Sequence, residues 1–143
     1  MFREHARHSS LPSLGSLAFD LRATMPLMTP SPPDTLQPGD FVVVFVTLPD
    51  AALAANMAKT LVTEKLVACV NILPGLRSVY AWEGKVCNEE EILCVLKTRR
   101  ALFAAVRERV TALHPYQVPE IIALPLVEGN APYLAWLRDE THE

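Results

Sequence analysis

The segment from His114 to Val127 constrains the fold most, because it joins the end of a helical pattern to an apolar run through two prolines. Pro115 and Pro119 each fix their own φ and push the residue before them out of the α region. The helix must therefore end by His114, and the chain must continue in an extended conformation. This proline corner (residues 114–120) presents an imidazole, a phenol and a carboxylate, which belong to His114, Tyr116 and Glu120. It is either a plain helix stop that feeds a strand or a stop that carries a site.

Hydrophobic patterning predicts the elements on both sides of this corner. Residues 41–47 form a continuous β-branched and aromatic run, typical of a central strand covered on both faces. Asp50 is a good N-cap for a helix whose apolar residues recur every four positions and which ends near Lys65. The following elements are a strand (66–73) closed by Pro74-Gly75, an extended segment (78–82), a turn at Glu83-Gly84-Lys85, a returning strand (86–98), a helix (99–113), a strand (120–127) and a short helix after Gly129-Asn130.

This β-α-β-β-α-β order with a C-terminal helix predicts an α+β fold of the ferredoxin-like type. In that sandwich a four-stranded sheet carries its helices on one face. The hairpin of residues 78–96 is long enough to extend past its own domain, and an exposed strand edge is a template for pairing with another chain. We therefore expect an oligomer.

Composition excludes two classes of partner. The net charge of −3 without a basic cluster gives no basis for binding nucleic acid. The apolar runs are far shorter than the ~20 residues of a membrane helix, so direct membrane insertion is not expected. The three cysteines are odd in number and lack the spacing of a metal site, which favours reduced thiols and a cytoplasmic location.

Residues 1–40 differ in kind from residues 41–143, which we take as the folded domain. The first segment carries six of the twelve prolines and no sustained periodicity, so we expect a disordered extension. Its arginines and serines are also compatible with a targeting peptide, although acidic residues interrupt the basic face. Organelle targeting therefore stays open beside the cytoplasmic location.

Two candidate sites follow from the side chains. His114 and Glu120 can supply half of a metal site, with water or a second subunit supplying the rest, or His114 can simply interact with the end of its helix. A second candidate is a ligand cleft, and its side chains are Lys97, Tyr116, Tyr80 and Trp82. The alternative for these aromatic residues is a role as core or interface anchors.

The remaining motifs argue against catalysis. The run Glu89-Glu90-Glu91 alternates along a strand, so that Glu89 and Glu91 share one side, and we interpret it as a solvated edge. The sequence contains neither a local nucleophile-base grouping nor a glycine-rich phosphate loop. We therefore do not expect an enzyme.

The sequence resembles the CutA family of divalent cation tolerance proteins. The matching stretches are Ala68-Cys69-Val70-Asn71-Ile72, Ser78-x-Tyr80-x-Trp82-x-Gly84-Lys85, Lys97-Thr98, His114-Pro115-Tyr116-x-x-Pro119-Glu120-Ile121 and Gly129-x-x-x-Tyr133-Leu134-x-Trp136. The resemblance covers residues 41–138 and implies a ferredoxin-like homotrimer built by pairing edge strands. It also implies a role in tolerance of copper and other divalent metals. Copper-binding bacterial members use a cysteine and a histidine at the positions of Val46 and Leu113, so that of this set the chain keeps His114.

Together these observations predict a non-enzymatic homotrimer that binds metal ions or a small ligand in clefts between subunits. Copper or another divalent cation is the expected ion, and no other cofactor is expected. The trimer would form through edge strands and the hairpin of residues 78–96. The alternative is a trimeric signalling or scaffold module that anchors a partner protein without binding metal.

Overall fold

Residues 36–142 are described in a computed structural model of the chain, and they fold into a sheet of four strands with three α-helices. In chain order the elements are β1 (Phe41–Leu48), α1 (Ala51–Thr63), β2 (Cys69–Trp82), β3 (Lys85–Arg99), α2 (Phe103–Leu113), β4 (Ile121–Pro125) and α3 (Ala131–Asp139). Short 3-10 turns precede β1 and α2, at Pro38–Asp40 and Arg100–Leu102. The predicted order of elements and the α+β class are confirmed.

The sheet has the strand order β2-β3-β1-β4, and every neighbouring pair is antiparallel. Each βαβ unit is therefore split, because a strand of the other unit lies between its two strands. This is the ferredoxin-like arrangement. It places β1 and β3 in the centre and leaves β2 and β4 as the edges.

One face of β1 carries the core. Val42, Val44, Val46 and Leu48 are buried and pack with residues of α1 and α2. Of the alternate residues, Phe41 is buried in the second core cluster, but Val43, Phe45 and Thr47 are only half-buried. The prediction of a strand covered on both faces is therefore wrong for most of β1 in a single chain. The reason is that the helices that form this core contribute to one face of the sheet. The residues that share the other face through the strand register include Val43, Phe45, Leu73, Ile122 and Leu124. We call this the open face.

The second strand is longer than predicted. It runs from Cys69 to Trp82 without ending at Pro74-Gly75. The pairing with β3 shifts register between Leu73 and Leu76, and Gly75 has φ +80. A proline lacks the backbone donor and glycine tolerates positive φ, so the dipeptide forms an irregularity in an edge strand instead of terminating it.

The hairpin turn is confirmed. Trp82 pairs with Lys85, so the loop is Glu83-Gly84, with φ of 48 and 76. Positive φ at both loop residues is the condition for the tight type I′ turn. The β1 strand pairs with β3 only from Ile92 onward, and the seven residues Lys85 to Glu91 pair only with β2. At ~3.3 Å per residue, this distal part of the hairpin projects roughly 20 Å beyond the end of β1.

The folded part begins slightly before the predicted boundary at residue 41. Leu36 packs against a second cluster, which contains Phe41, Leu134 and Leu137. The Gln37 backbone N–H donates to Asp40 Oδ2 at 3.1 Å, which closes the first 3-10 turn. The predicted extension otherwise lies outside the described residues and stays a prediction.

The N-terminus of α1 offers a test of the local fold. Asp50 has an extended backbone, and its Oδ1 accepts a hydrogen bond from Leu53 N–H at 2.8 Å. We expect Asp50→Ala to lower the free energy of unfolding by about 1 kcal/mol, because a helix donor loses its partner. Asp50→Asn should keep most of the stability, since asparagine is also a good N-cap. Denaturant unfolding measures both variants, and an unchanged midpoint in Asp50→Ala would show that the cap does not form.

Candidate functional site

The imidazole of His114 fastens the proline corner to the end of β1. The helix α2 ends at Leu113, and His114 has the extended φ of −85 and ψ of 138 that the sequence predicts. Its Nδ1 accepts from the Tyr116 backbone N–H at 3.1 Å. The Nε2 atom must then carry the proton, and it donates to the Thr47 carbonyl oxygen at 2.7 Å. The ring is buried, and both nitrogens have backbone partners.

A buried carboxylate connects the same corner to the base of the hairpin. Glu91 is only 4% exposed. The Ser78 hydroxyl donates to its Oε2 at 3.0 Å, and the Tyr116 hydroxyl donates to its Oε1 at 3.3 Å. The interpretation of the glutamate run as a solvated edge is therefore wrong for Glu91. The burial is tolerated because each carboxylate oxygen has a hydroxyl donor.

The two phenols near these carboxylates remain protonated well into alkaline conditions. The Tyr80 hydroxyl donates to Glu89 Oε2 at 3.0 Å, and this hydrogen bond is the main cause that raises the pKa of Tyr80 to about 12. The pKa of Tyr116 is also raised, first by burial and then by the nearby Glu91 carboxylate. Both phenols are therefore hydrogen-bond donors at neutral pH.

These side chains border an open groove of about 860 Å³ between the hairpin and the proline corner. We call it the hairpin groove. Six residues give it its chemistry, namely Tyr80, Trp82, Glu89 and Glu91 from the hairpin and Tyr116 and Glu120 from the corner. Three are aromatic and three carry carboxylates, and the lining includes no lysine, arginine or histidine. The volume lies within the ~300–1,000 Å³ range of small-molecule sites.

The structure brings together four of the six predicted site residues, which are Tyr80, Trp82, Tyr116 and Glu120. Lys97 lies elsewhere, on the open face, where it pairs with Cys69 and Val43. Its Nζ lies 3.6 Å from Cys69 Sγ and also contacts Asn71 Oδ1. Lys97 lies six residue steps along the extended strand from Glu91, which is about 20 Å.

The geometry of the predicted metal site is incomplete within one chain. His114 does not line the groove, and a metal ion on either ring nitrogen would have to replace one of its two hydrogen bonds. Glu120 is exposed. Within residues 36–142 no group of three histidine, cysteine, aspartate or glutamate side chains is arranged to hold a metal ion. Within these residues of a single chain, His114 and Glu120 therefore do not by themselves complete a metal centre.

Sequence reasoning missed Glu91, Glu89 and Ser78 as parts of the site. Alternation did place Glu89 and Glu91 on one side of the strand. Alternation alone does not give the register of the hairpin, in which Ser78 pairs with Glu89 and Tyr80 pairs with Cys87. Each hydroxyl then donates to the glutamate two residues along the opposite strand. A two-residue loop counted from Glu83-Gly84 fixes this register and was available as a signal.

Comparison with known proteins agrees with the fold and identifies the family. The family model described as CutA1 divalent ion tolerance protein matches residues 42–140. The chain belongs to the CutA1 family. A "Divalent-cation tolerance protein CutA" of Thermus thermophilus is 54% identical over 99 residues, which cover 69% of this chain and 96% of that protein. The "Protein CutA 1, chloroplastic" of Oryza sativa is 50% identical, over 71% of this chain but 58% of that protein.

Solved structures of CutA1 proteins share this fold. The Thermus thermophilus CutA1 structure has a TM-score of 0.70 and 52% identity, and the match covers 71% of this chain and 99% of that chain. The CutA1 structure from Oryza sativa gives 0.71 and 50%, over 72% and 94% of the two chains. Among residues 36–142, none of the helices combines the length and apolar character needed to cross a membrane.

The phenols provide a test of the groove in alkaline solution. The chain has three tyrosines, and folding raises the pKa of each, that of Tyr80 to about 12. Because the folded state holds these protons more tightly than the unfolded state, their stabilisation is complete below about pH 10 and is lost as the pH rises further. Phenolate absorbance should include a step near pH 12 that Tyr80→Phe removes. Persistence of that step in Tyr80→Phe would contradict the Tyr80–Glu89 hydrogen bond.

The buried carboxylate provides a test of stability with a matched control. We expect Glu91→Ala to lower the free energy of unfolding by about 2 kcal/mol, because two hydroxyl donors lose their acceptor. Glu90 is exposed on the same strand and points to the opposite side. Glu90→Ala should therefore change the stability by less than about 0.5 kcal/mol. Equal losses in the two variants would show that Glu91 contributes only its strand propensity.

Proposed function

We propose that this chain is a non-enzymatic divalent-cation tolerance protein that acts as a homotrimer and binds a small ligand in the hairpin groove. The observation that carries the proposal is the groove itself, which combines aromatic rings with carboxylates at the base of a projecting hairpin. In a trimer built through the hairpin, a neighbouring subunit would lie beside the open side of this groove. The ligand site would then be a cleft between subunits.

Uncovered apolar surface supports the trimer. Leu73, Ile122 and Leu124 lie on the open face and are 46%, 49% and 51% exposed. They come from both edge strands, whose outer backbone groups have no partner strand among residues 36–142. Exposed apolar residues beside unpaired strand edges are typical of interfaces. Pairing of edge strands between subunits would cover both features.

The family relation supports the role in metal tolerance. The matching proteins from Thermus thermophilus and Citrobacter koseri are named divalent-cation tolerance proteins. A divalent ion such as copper, held by His114 and Glu120 with ligands from water or a second subunit, is the second candidate for the ligand. It would require His114 to give up a backbone hydrogen bond, so the geometry favours a small molecule in the groove.

A scaffold that anchors a partner protein is the alternative function. It is supported by the distal part of the hairpin, where Val79 and Val86 are 64% and 79% exposed. Val79 and Val86 lie on the strand face opposite that of Tyr80 and Trp82. In the trimer this surface would either contact a neighbouring subunit or remain available to a partner.

We place the protein in the cytoplasm, with an organelle as the alternative. The three cysteines, Cys69, Cys87 and Cys94, are all free thiols, which is typical of a reducing compartment. The relatives from Oryza sativa and Arabidopsis thaliana are named chloroplastic proteins, which keeps organelle targeting open. Fluorescence microscopy of the tagged full chain would separate the two locations.

The oligomeric state tests the proposed assembly. We expect light scattering on the full chain to give three times the chain mass of 15.8 kDa. The double variant Ile122→Lys with Leu124→Lys should give a smaller species, because charges on the open face cannot be buried unpaired. Val62→Lys is the matched control, since Val62 is an exposed valine on α1. A monomeric parent protein, or loss of the trimer in the control alone, would contradict this interface.

Titration calorimetry with Cu(II) and Zn(II) separates the two kinds of ligand. We expect no saturable binding that depends on Glu120, so that the parent protein and Glu120→Gln give the same heats. Glu120 is exposed and its replacement should leave the fold intact. Binding in a fixed ratio to the trimer that disappears in Glu120→Gln would instead establish the metal site of His114 and Glu120.

A further inference from the structure

We propose that the hairpin groove selects an organic cation, a small molecule that carries an ammonium or quaternary ammonium group. The inference rests on the proposed function, namely that this groove is a ligand site. It adds the chemical class of the ligand, which follows from the charge and the aromatic surface of the lining residues.

The charge of the groove calls for a positive ligand. Its lining contains the carboxylates of Glu89, Glu91 and Glu120 and no basic side chain. The nearby donors are the hydroxyls of Tyr80, Tyr116 and Ser78, which are neutral and leave the negative charge in place. The hydrogen bond to Glu89 is the main cause that raises the pKa of Tyr80, whereas the pKa of Tyr116 is raised first by burial and then by Glu91. An anion would be repelled by such a lining, and a neutral polar molecule would lack the charge–charge attraction that a cation gains.

The aromatic surface distinguishes an organic cation from a metal ion. Trp82 is 49% and Tyr80 is 38% exposed, and both rings border the groove. The face of an aromatic ring attracts an ammonium group, and tryptophan does so most strongly. A divalent metal ion instead requires several oxygen or nitrogen ligands that converge on one point. No such group of ligands is present among residues 36–142.

The size of the groove fits a small molecule. A volume of about 860 Å³ exceeds what a single side chain fills, and it is open on one side. A lysine or arginine of a second copy of this chain offers the same charge, so the experiment must separate it from a free cation. We commit to the free cation, because a small untethered ammonium ion can place itself against both half-exposed rings at once, whereas a side chain of a second copy reaches the groove only from the direction of its own backbone.

The experiment uses the indole N–H signals of the full-length protein in two-dimensional NMR spectra. The chain has two tryptophans, so Trp136 on α3 serves as an internal reference for Trp82. Tetramethylammonium chloride and n-butylammonium chloride are the probes, with sodium chloride at equal ionic strength and tert-butanol as the neutral analogue. We expect a saturable shift of the Trp82 signal with the two ammonium salts only.

Variants connect the shift to the groove. Glu89→Gln and Trp82→Leu should weaken binding of tetramethylammonium, each roughly 3- to 30-fold, because each removes one attraction for the cation. Binding by Trp82→Leu is followed through backbone amide signals of the hairpin. Glu90→Gln carries the same change of charge on the other side of β3 and should bind like the parent protein. An equal loss of affinity in Glu90→Gln would show that the net charge of the protein, and not the groove, determines binding, and it would overturn the proposal.

The other outcomes are distinguishable. The Trp82 signal could instead shift with Zn(II) or with tert-butanol but not with the ammonium salts. The groove would then still be a ligand site, but the proposal that it selects an organic cation would be wrong. Absence of any shift would overturn both this inference and the proposed ligand site. If the ammonium salts shift the Trp82 signal only in the variant with Ile122→Lys and Leu124→Lys, a second copy of the chain fills the groove in the parent protein. That result would also overturn the proposal of a free cation as the ligand.

Discussion

The two backbone hydrogen bonds of the His114 imidazole are the constraint on which the rest of the site depends. They join the carbonyl of Thr47, at the end of the central strand β1, to the backbone of Tyr116 in the proline corner. Pro115 stiffens the chain between them. Because this corner is fixed, the phenol of Tyr116 can reach Glu91 at the base of the hairpin. The groove exists because strand, corner and hairpin meet through these few polar contacts.

The burial of the Glu91 carboxylate at this junction depends on its two hydrogen-bond donors. An unpaired buried carboxylate costs several kcal/mol, so Glu91 is tolerated only while its hydroxyl donors are in place. The requirement works in both directions. The donors from Ser78 and Tyr116 hold the carboxylate, and the carboxylate holds the hairpin against the corner. The carboxylate also lines the groove, together with the more exposed Glu89 and Glu120.

Local chemistry was enough to predict the elements but not the way in which they meet. Proline geometry predicted the end of α2 at His114, and the Glu83-Gly84 loop was recognisable from its residue types. The burial of Glu91 could not be recognised from the sequence, because it depends on a tyrosine 25 residues away that only the tertiary structure brings near. Pro74-Gly75 was taken as a strand end, since sequence alone does not tell a stop from an irregularity in an edge strand. The separation of Lys97 from the groove follows from the length of β3, which the predicted strand of residues 86–98 already implied.

The tautomer of His114 tests the arrangement most directly. The nitrogen chemical shifts of the imidazole can be measured in the full-length chain at neutral pH and assigned with a His114→Gln variant. The structure predicts an unprotonated Nδ1 and a protonated Nε2, with both shifts unchanged when Zn(II) is added. A proton on Nδ1, or a change of the ring nitrogen shifts on adding Zn(II), would show that the imidazole does not keep both backbone hydrogen bonds. The metal site of His114 and Glu120 would then be the better account.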